Sequence, residues 1–196
     1  MDFTVVIPAR YQSSRFPGKP LANIQGKPMV QHVVDRANEA GASKVIVATD
    51  DERIASVAAQ FATVVMTATT HTSGTERIAE VIQTQQIADE TIIVNVQGDE
   101  PFVPADNIRQ VAANLAANPA MQMATLCTPI THEDDVFNPN IVKVVFSASG
   151  KALYFSRSVL PFARDLFEII SPGFCLSPQR RERLFSRFRF PSRVPG

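Results

Sequence analysis

The chain has 196 residues, 45% hydrophobic and 19% charged, with 19 Lys+Arg balanced by 19 Asp+Glu. This is ordinary globular usage at a length that suits an α/β domain, and it excludes disordered, collagen-like and coiled-coil classes. The longest apolar runs, such as residues 4–8 and 92–96, fall far short of the roughly 20 residues a membrane helix needs, and Asp2 stands where a secretory signal would be basic. No membrane segment is expected, and the reading is a cytoplasmic protein.

In chain order, residues 3–7 read as a continuous apolar strand, the mark of a strand covered on both faces. A polar loop follows, and then a helix over 29–40, where Met29, Val33, Val34 and Ala37 keep the helical period and Gly41 suits a left-handed stop. A strand at 44–48, a helix near 52–61, a strand at Thr63–Met66, a helix over 75–83 and a strand at 91–96 repeat the cycle. This is the alternation of a βαβ series with a parallel sheet and crossover helices. Pro104 opens a further helix whose apolar stripe is Ile108, Val111 and Leu115. Residues 123–127, 142–146 and 152–155 read as strands, the last two forming a hairpin through Ala148-Ser149-Gly150 that would add an antiparallel element to the sheet.

Past Asp165 the periodicity fails. Residues 166–196 hold six arginines against two glutamates, together with five phenylalanines and the prolines 172, 178, 191 and 195. Arginines and aromatics could track a nucleic acid, but the missing periodicity argues against that and no nucleic-acid partner is expected. Cys127 and Cys175 lack metal-like spacing and read as unpaired thiols.

Candidate chemistry gathers at strand ends. Directly after the first strand comes IPARYQSSRFPGKPL, which puts Arg10, Arg15 and Lys19 in one loop. In an open α/β sheet, ligands bind outside the carboxyl ends of the strands, so these cations would converge on an anion, with serines and loop N–H groups completing the cradle. The spacing is neither GxxxxGK[ST] nor GxGxxG, and a solvated basic loop is the plain alternative. After residues 91–96 comes Gln97-Gly98-Asp99-Glu100-Pro101, where Asp99 faces the same crevice and could ligate Mg²⁺, or where a Gly-Asp turn simply closes the strand. His71-Thr72-Ser73-Gly74-Thr75-Glu76-Arg77 would bind an anion or base at a helix N-terminus, or supply a cap through Ser73 or Thr75. Arg157 and Arg164 could grip a carboxylate in a bidentate fork, or pair on the surface as Arg164 with Asp165. Lys143, inside an apolar run, would protect an edge strand or touch substrate.

Together, IPARYQSSRFPGKPL, GKPM, ATDDERI, HTSGTERIAEV, IIVNVQGDEP, FNPNIVKVV and ALYFSRSVLPFARD resemble, in order and spacing, the 3-deoxy-manno-octulosonate cytidylyltransferase family. The resemblance covers residues 3–165. It implies a nucleotide-diphospho-sugar transferase fold, Rossmann-like, with a mainly parallel mixed sheet and helices on both faces. The reaction it implies is CTP plus 3-deoxy-D-manno-octulosonate (KDO) giving CMP-KDO and pyrophosphate for lipopolysaccharide synthesis, with Mg²⁺ and a homodimer. A CTP-binding but catalytically weak form, or another sugar-acid enzyme such as a sialic-acid cytidylyltransferase, is the alternative. By resemblance Ala9, Arg10, Ser14, Arg15, Lys19, Ser73, Gly74 and Arg77 bind CTP, Asp99 holds the metal, and Gln97 with Arg157 or Arg164 holds the sugar acid. Arg15, Lys19 and Asp99 carry the catalysis. The implied organisation is a cytidylyltransferase domain over 1–165, incomplete relative to the family, and an atypical tail over 166–196.

Overall fold

The computed structural model describes residues 1–12 and 16–160. It begins with strand β1 (Thr4–Ala9), whose Val5, Val6 and Ile7 have no solvent exposure. A single 3-10 turn, Lys19–Leu21, leads into a small hairpin of β2 (Asn23–Ile24) and β3 (Lys27–Pro28), turning through Gln25 and Gly26. Helix α1 (Met29–Glu39) follows and buries Val30, Val33, Val34 and Ala37. Gly41 takes the left-handed φ of 82° anticipated at its end. The series continues with β4 (Lys44–Thr49), α2 (Glu52–Ala58), β5 (Thr63–Met66), α3 (Gly74–Thr84), β6 (Ile93–Asn95) and α4 (Ala105–Ala116).

Strands β1, β4, β5 and β6 form one parallel sheet in the order β5-β4-β1-β6. Thr4 to Ala9 pair with Lys44 to Thr49, and Thr4 to Val6 pair with Ile93 to Asn95. The side-chain period of two sends alternate residues of the central strands to opposite faces. Val5, Ile7 and Val47 join the core made with Val33 of α1, Ile54 of α2 and Ile108 of α4. Val6, Ile46 and Ala48 join a second core with Ile78 and Val81 of α3. Each fully buried Val or Ile contributes roughly 1.5–3 kcal/mol, so helices on both faces are what the all-apolar strands require.

The chain divides into two compact units, Met1–Leu126 and Cys127–Gly196. Among the described residues the second contains α5 (Glu133–Phe137), β7 (Lys143–Phe146) and β8 (Ala152–Ser156). The last two pair antiparallel as the expected hairpin, but as a two-stranded sheet of their own and not as an addition to the four-stranded sheet. Residues 123–127, expected as a strand, form none: a β-prone run becomes a strand only where a neighbour accepts its backbone, and here no ladder reaches it. Met123 is accordingly 83% exposed. The domain boundary expected after Asp165 lies outside the described residues.

Candidate functional site

The sheet order creates the site. β4 and β5 extend from one side of β1, whereas β6 lies on the other, so the strand order reverses at β1 and opens a crevice at the carboxyl ends of β1 and β6. The segments leaving these two strands form a cleft of about 1040 Å³, whose lining includes Ala9, Arg10, Lys19, Gln97 and Asp99. Gly98 lets the walls meet: a β-carbon there would stand 2.9 Å from the Pro8 carbonyl oxygen and 3.4 Å from Ala9 Cβ.

Lys19 is set by the turn before it. Gly18 has φ 72°, a left-handed conformation that glycine adopts without penalty, and its N–H donates to the Tyr11 carbonyl at 2.8 Å. The chain then winds into the 3-10 turn and sends Lys19 Nζ across the cleft to Asp99 Oδ2 at 2.7 Å. Both side chains remain accessible, at 37% and 53%. Arg10 is exposed beside them. Gln97 donates from Nε2 to Asn95 Oδ1 at 3.1 Å. The cleft therefore presents cations, one carboxylate and an amide on strand-end segments. Among the described residues, no group of three or more His, Cys, Asp or Glu is arranged to hold a metal unaided.

The start of α3 lies alongside. A β-carbon at Gly74 would meet Pro8 Cγ at 3.2 Å and lie 3.9 Å from Gln97 Oε1. Ser73 caps this helix by accepting from the Glu76 N–H at 3.2 Å, so the capping role holds. Glu76 reaches back to the Thr72 N–H at 2.8 Å, and that bond, with the Thr72 hydroxyl, lowers its pKa. Glu80 accepts from His71 Nε2 and from the Ala68 N–H. The His71 bond is the main cause of its lowered pKa.

Arg77, anticipated as a CTP contact, does not line this cleft. Arg77 is 3% exposed, with its guanidinium on Asp50 at 2.8 Å and on the Thr67 hydroxyl. In the second unit, Arg157 donates to the Pro139 carbonyl at 2.8 Å, and buried Lys143 donates to the Asn138 carbonyl at 2.6 Å. That bond makes Lys143 an internal tie and not an edge-strand guard. Cys127 is a free, exposed thiol. Ser14, Arg15, Arg164 and Cys175 lie outside the described residues. Tyr11, and Arg53 at the start of α2, are among the cleft residues to which the sequence reading gave no role. The strand-end rule applied to β4 as it was to β1 and β6 would have pointed to Arg53.

A family model described as Cytidylyltransferase matches residues 4–189. The chain belongs to the cytidylyltransferase family. Among its relatives, the 3-deoxy-manno-octulosonate cytidylyltransferase of Alteromonas mediterranea is 69% identical over 165 residues, which cover 84% of this chain and 66% of that protein. The protein of the same name from Idiomarina loihiensis is 60% identical over 168 residues, covering 85% of this chain and 66% of its own length. The chain thus spans just under two thirds of these curated relatives. Among solved structures, CMP:2-keto-3-deoxy-manno-octonic acid synthetase complexed with CTP is 42% identical with a TM-score of 0.77, over 84% of this cytidylyltransferase-family chain and 68% of that one. The parallel sheet with helices on both faces is therefore the nucleotide-sugar transferase fold anticipated from the motifs.

Proposed function

We propose that this chain serves CTP-dependent activation of a sugar acid, transferring CMP from CTP to KDO with release of pyrophosphate, in support of lipopolysaccharide synthesis. The observation that carries the reading is the Lys19–Asp99 pair across the β1/β6 crevice. The names of the relatives and the CTP complex of the 42%-identical neighbour support it.

In this reading Arg10, Ser14, Arg15 and Lys19 hold the triphosphate, with Ala9 and the Ser73-Gly74 turn beside the nucleotide. Asp99 fits Mg²⁺, because that ion needs only one or two carboxylates when substrate phosphates and water fill its remaining positions. The chemistry it supplies there is charge neutralisation at the phosphoryl oxygens. Lys19, released from Asp99, moves its charge to the departing pyrophosphate, a role it shares with Arg15. Gln97 sits by the sugar acid, and Arg157 or Arg164 holds its carboxylate. Arg77 acts from below, fixing the first turn of α3 through Asp50 and Thr67. The anomeric hydroxyl oxygen bonds to the α-phosphorus, the bridging bond to the β-phosphate breaks, and the hydroxyl proton passes to solvent. Positioning and charge supply most of the acceleration, and no covalent protein intermediate is needed. The same reading gives a cytoplasmic homodimer without nucleic-acid or membrane partners. No helix among the described residues is long and apolar enough to cross a membrane.

The test incubates the purified chain with CTP, Mg²⁺ and KDO, and follows pyrophosphate release and CMP-KDO by mass. KDO-dependent release supports the proposal. CTP uptake without release points to the nucleotide-binding form alone, and preference for N-acetylneuraminate over KDO overturns the assigned sugar acid.

A further inference from the structure

Arg53 belongs to no recognised role, yet its surroundings are specific. It lies in the first turn of α2, where Asp51 is the cap and accepts from the Arg53 backbone N–H at 3.0 Å. The same carboxylate takes one edge of the guanidinium in a bidentate fork, at 2.9 Å from Nε and 2.6 Å from Nη2. That fork fixes the plane of the group, which a single contact could not do. The held plane lies over the Tyr11 ring, with Cζ 3.3 Å from the ring centroid.

Tyr11 in turn is packed against Gly18. A β-carbon at residue 18 would stand 3.0 Å from Tyr11 Cε2 and 3.2 Å from its hydroxyl oxygen. The Gly18 N–H to Tyr11 carbonyl bond joins the same two residues along the main chain. Residues 11 and 18 are therefore tied by backbone and by side chain, and Arg53 lies over the same ring. Arg10 precedes one tied residue and Lys19 follows the other.

We infer that Arg53 is a positioning residue, which acts through Tyr11 to hold the backbone at Arg10 and Lys19 and so fixes where these two cations meet an anionic ligand in the cleft. This rests on the nucleotide reading for the identity of the ligand, but not for the existence of the clamp. Asp51 takes two of the five guanidinium N–H donors and the ring takes one face, so Nη1 keeps its donors, and the Arg53→Met/Tyr11→Leu double variant separates positioning from a direct phosphate contact.

The experiment compares Arg53→Met, Tyr11→Leu, Tyr11→Phe and the Arg53→Met/Tyr11→Leu double variant. Amide exchange at Gly18 reads the clamp, with Val33 and Val34 of α1 as internal controls for folding. Arg53→Met speeds exchange at Gly18 and leaves the α1 amides unchanged, while Tyr11→Phe, which keeps the ring face, preserves wild-type protection. Affinity for CTP with Mg²⁺ falls about two- to fivefold in Arg53→Met, the range of an exposed cation–ring contact. The double variant binds CTP no worse than Tyr11→Leu. Unchanged Gly18 exchange in Arg53→Met overturns the clamp. A full extra loss of affinity in the Tyr11→Leu background also overturns it, because Arg53 would then touch the ligand itself. If the wild-type chain takes up no CTP, the nucleotide reading falls and the exchange result alone decides the clamp.

Discussion

Lys19 Nζ lies 2.7 Å from Asp99 Oδ2, which joins the segment after β1 to the segment after β6 where the sheet order reverses. Both groups are substantially exposed, so the pair adds at most about 1 kcal/mol to stability. A contact that contributes so little to the fold, formed by opposite charges on the two walls of a cleft, is better suited to being exchanged for a ligand than to holding the walls together. Asp99→Ala should leave the melting temperature nearly unchanged and reduce CTP- and Mg²⁺-dependent pyrophosphate release by on the order of a hundredfold or more. Near-normal magnesium-dependent turnover in this variant would remove Asp99 from the metal role. Lys19→Met should weaken CTP binding without altering the fold, as judged by circular dichroism.

Gly98 offers a geometric test of the same cleft. Any β-carbon at this position meets the Pro8 carbonyl oxygen at 2.9 Å, a backbone atom that cannot swing aside. Gly98→Ala must push the end of β6 away from β1, at a cost of roughly 1–3 kcal/mol, and carry Asp99 with it. Urea denaturation should show that loss, and CTP affinity should fall beyond what the lost stability explains. A variant with full stability and full affinity would mean that the two strand ends move apart freely.

The parts of this protein legible in its sequence are those governed by one element at a time. β1 and β4 read as unbroken apolar runs because both faces are covered, and α1 keeps its period because one stripe faces the sheet. Lys19 and Asp99 were reachable through the strand-end rule, which needs only the strands. What failed depends on a partner distant in sequence: the strand anticipated at 123–127 finds no neighbour, and Arg53 matters only because α2 brings it over Tyr11. Arg77 is instructive in another way. Its place near a helix start suggests anion binding, but it shares the buried side of α3 with Ile78 and Val81, so the helical phase turns it inward to Asp50.

That inward turn makes a prediction about stability. Removing one member of a buried ion pair strands the other, so Arg77→Met should cost roughly 3 kcal/mol in urea denaturation. Asp50 is less deeply covered, and Asp50→Asn should cost less. If Arg77→Met instead unfolds at the wild-type midpoint while CTP affinity collapses, the guanidinium is a ligand contact and its pairing with Asp50 is incidental.

Acid should act on the segment that leads into α3. The Glu80 carboxylate holds His71 and the Ala68 N–H together, and its pKa lies below the ordinary value of 4.5 chiefly because of the bond from His71. A carboxyl group with a lowered folded-state pKa stabilises the fold above its unfolded value, and the contribution disappears as pH falls through the folded value. Glu76 is shifted the same way, chiefly by Thr72, so its contribution is likewise lost as pH falls. Amide exchange at Ala68 and Thr72 should be slow near neutrality and should rise below about pH 4.5 relative to the intrinsic rate. In Glu80→Gln the Ala68 amide should be less protected at neutral pH and lose most of its acid dependence, whereas Thr72, held by Glu76, should keep its own. An unchanged acid profile at Ala68 in Glu80→Gln would show that this carboxylate does not hold the segment.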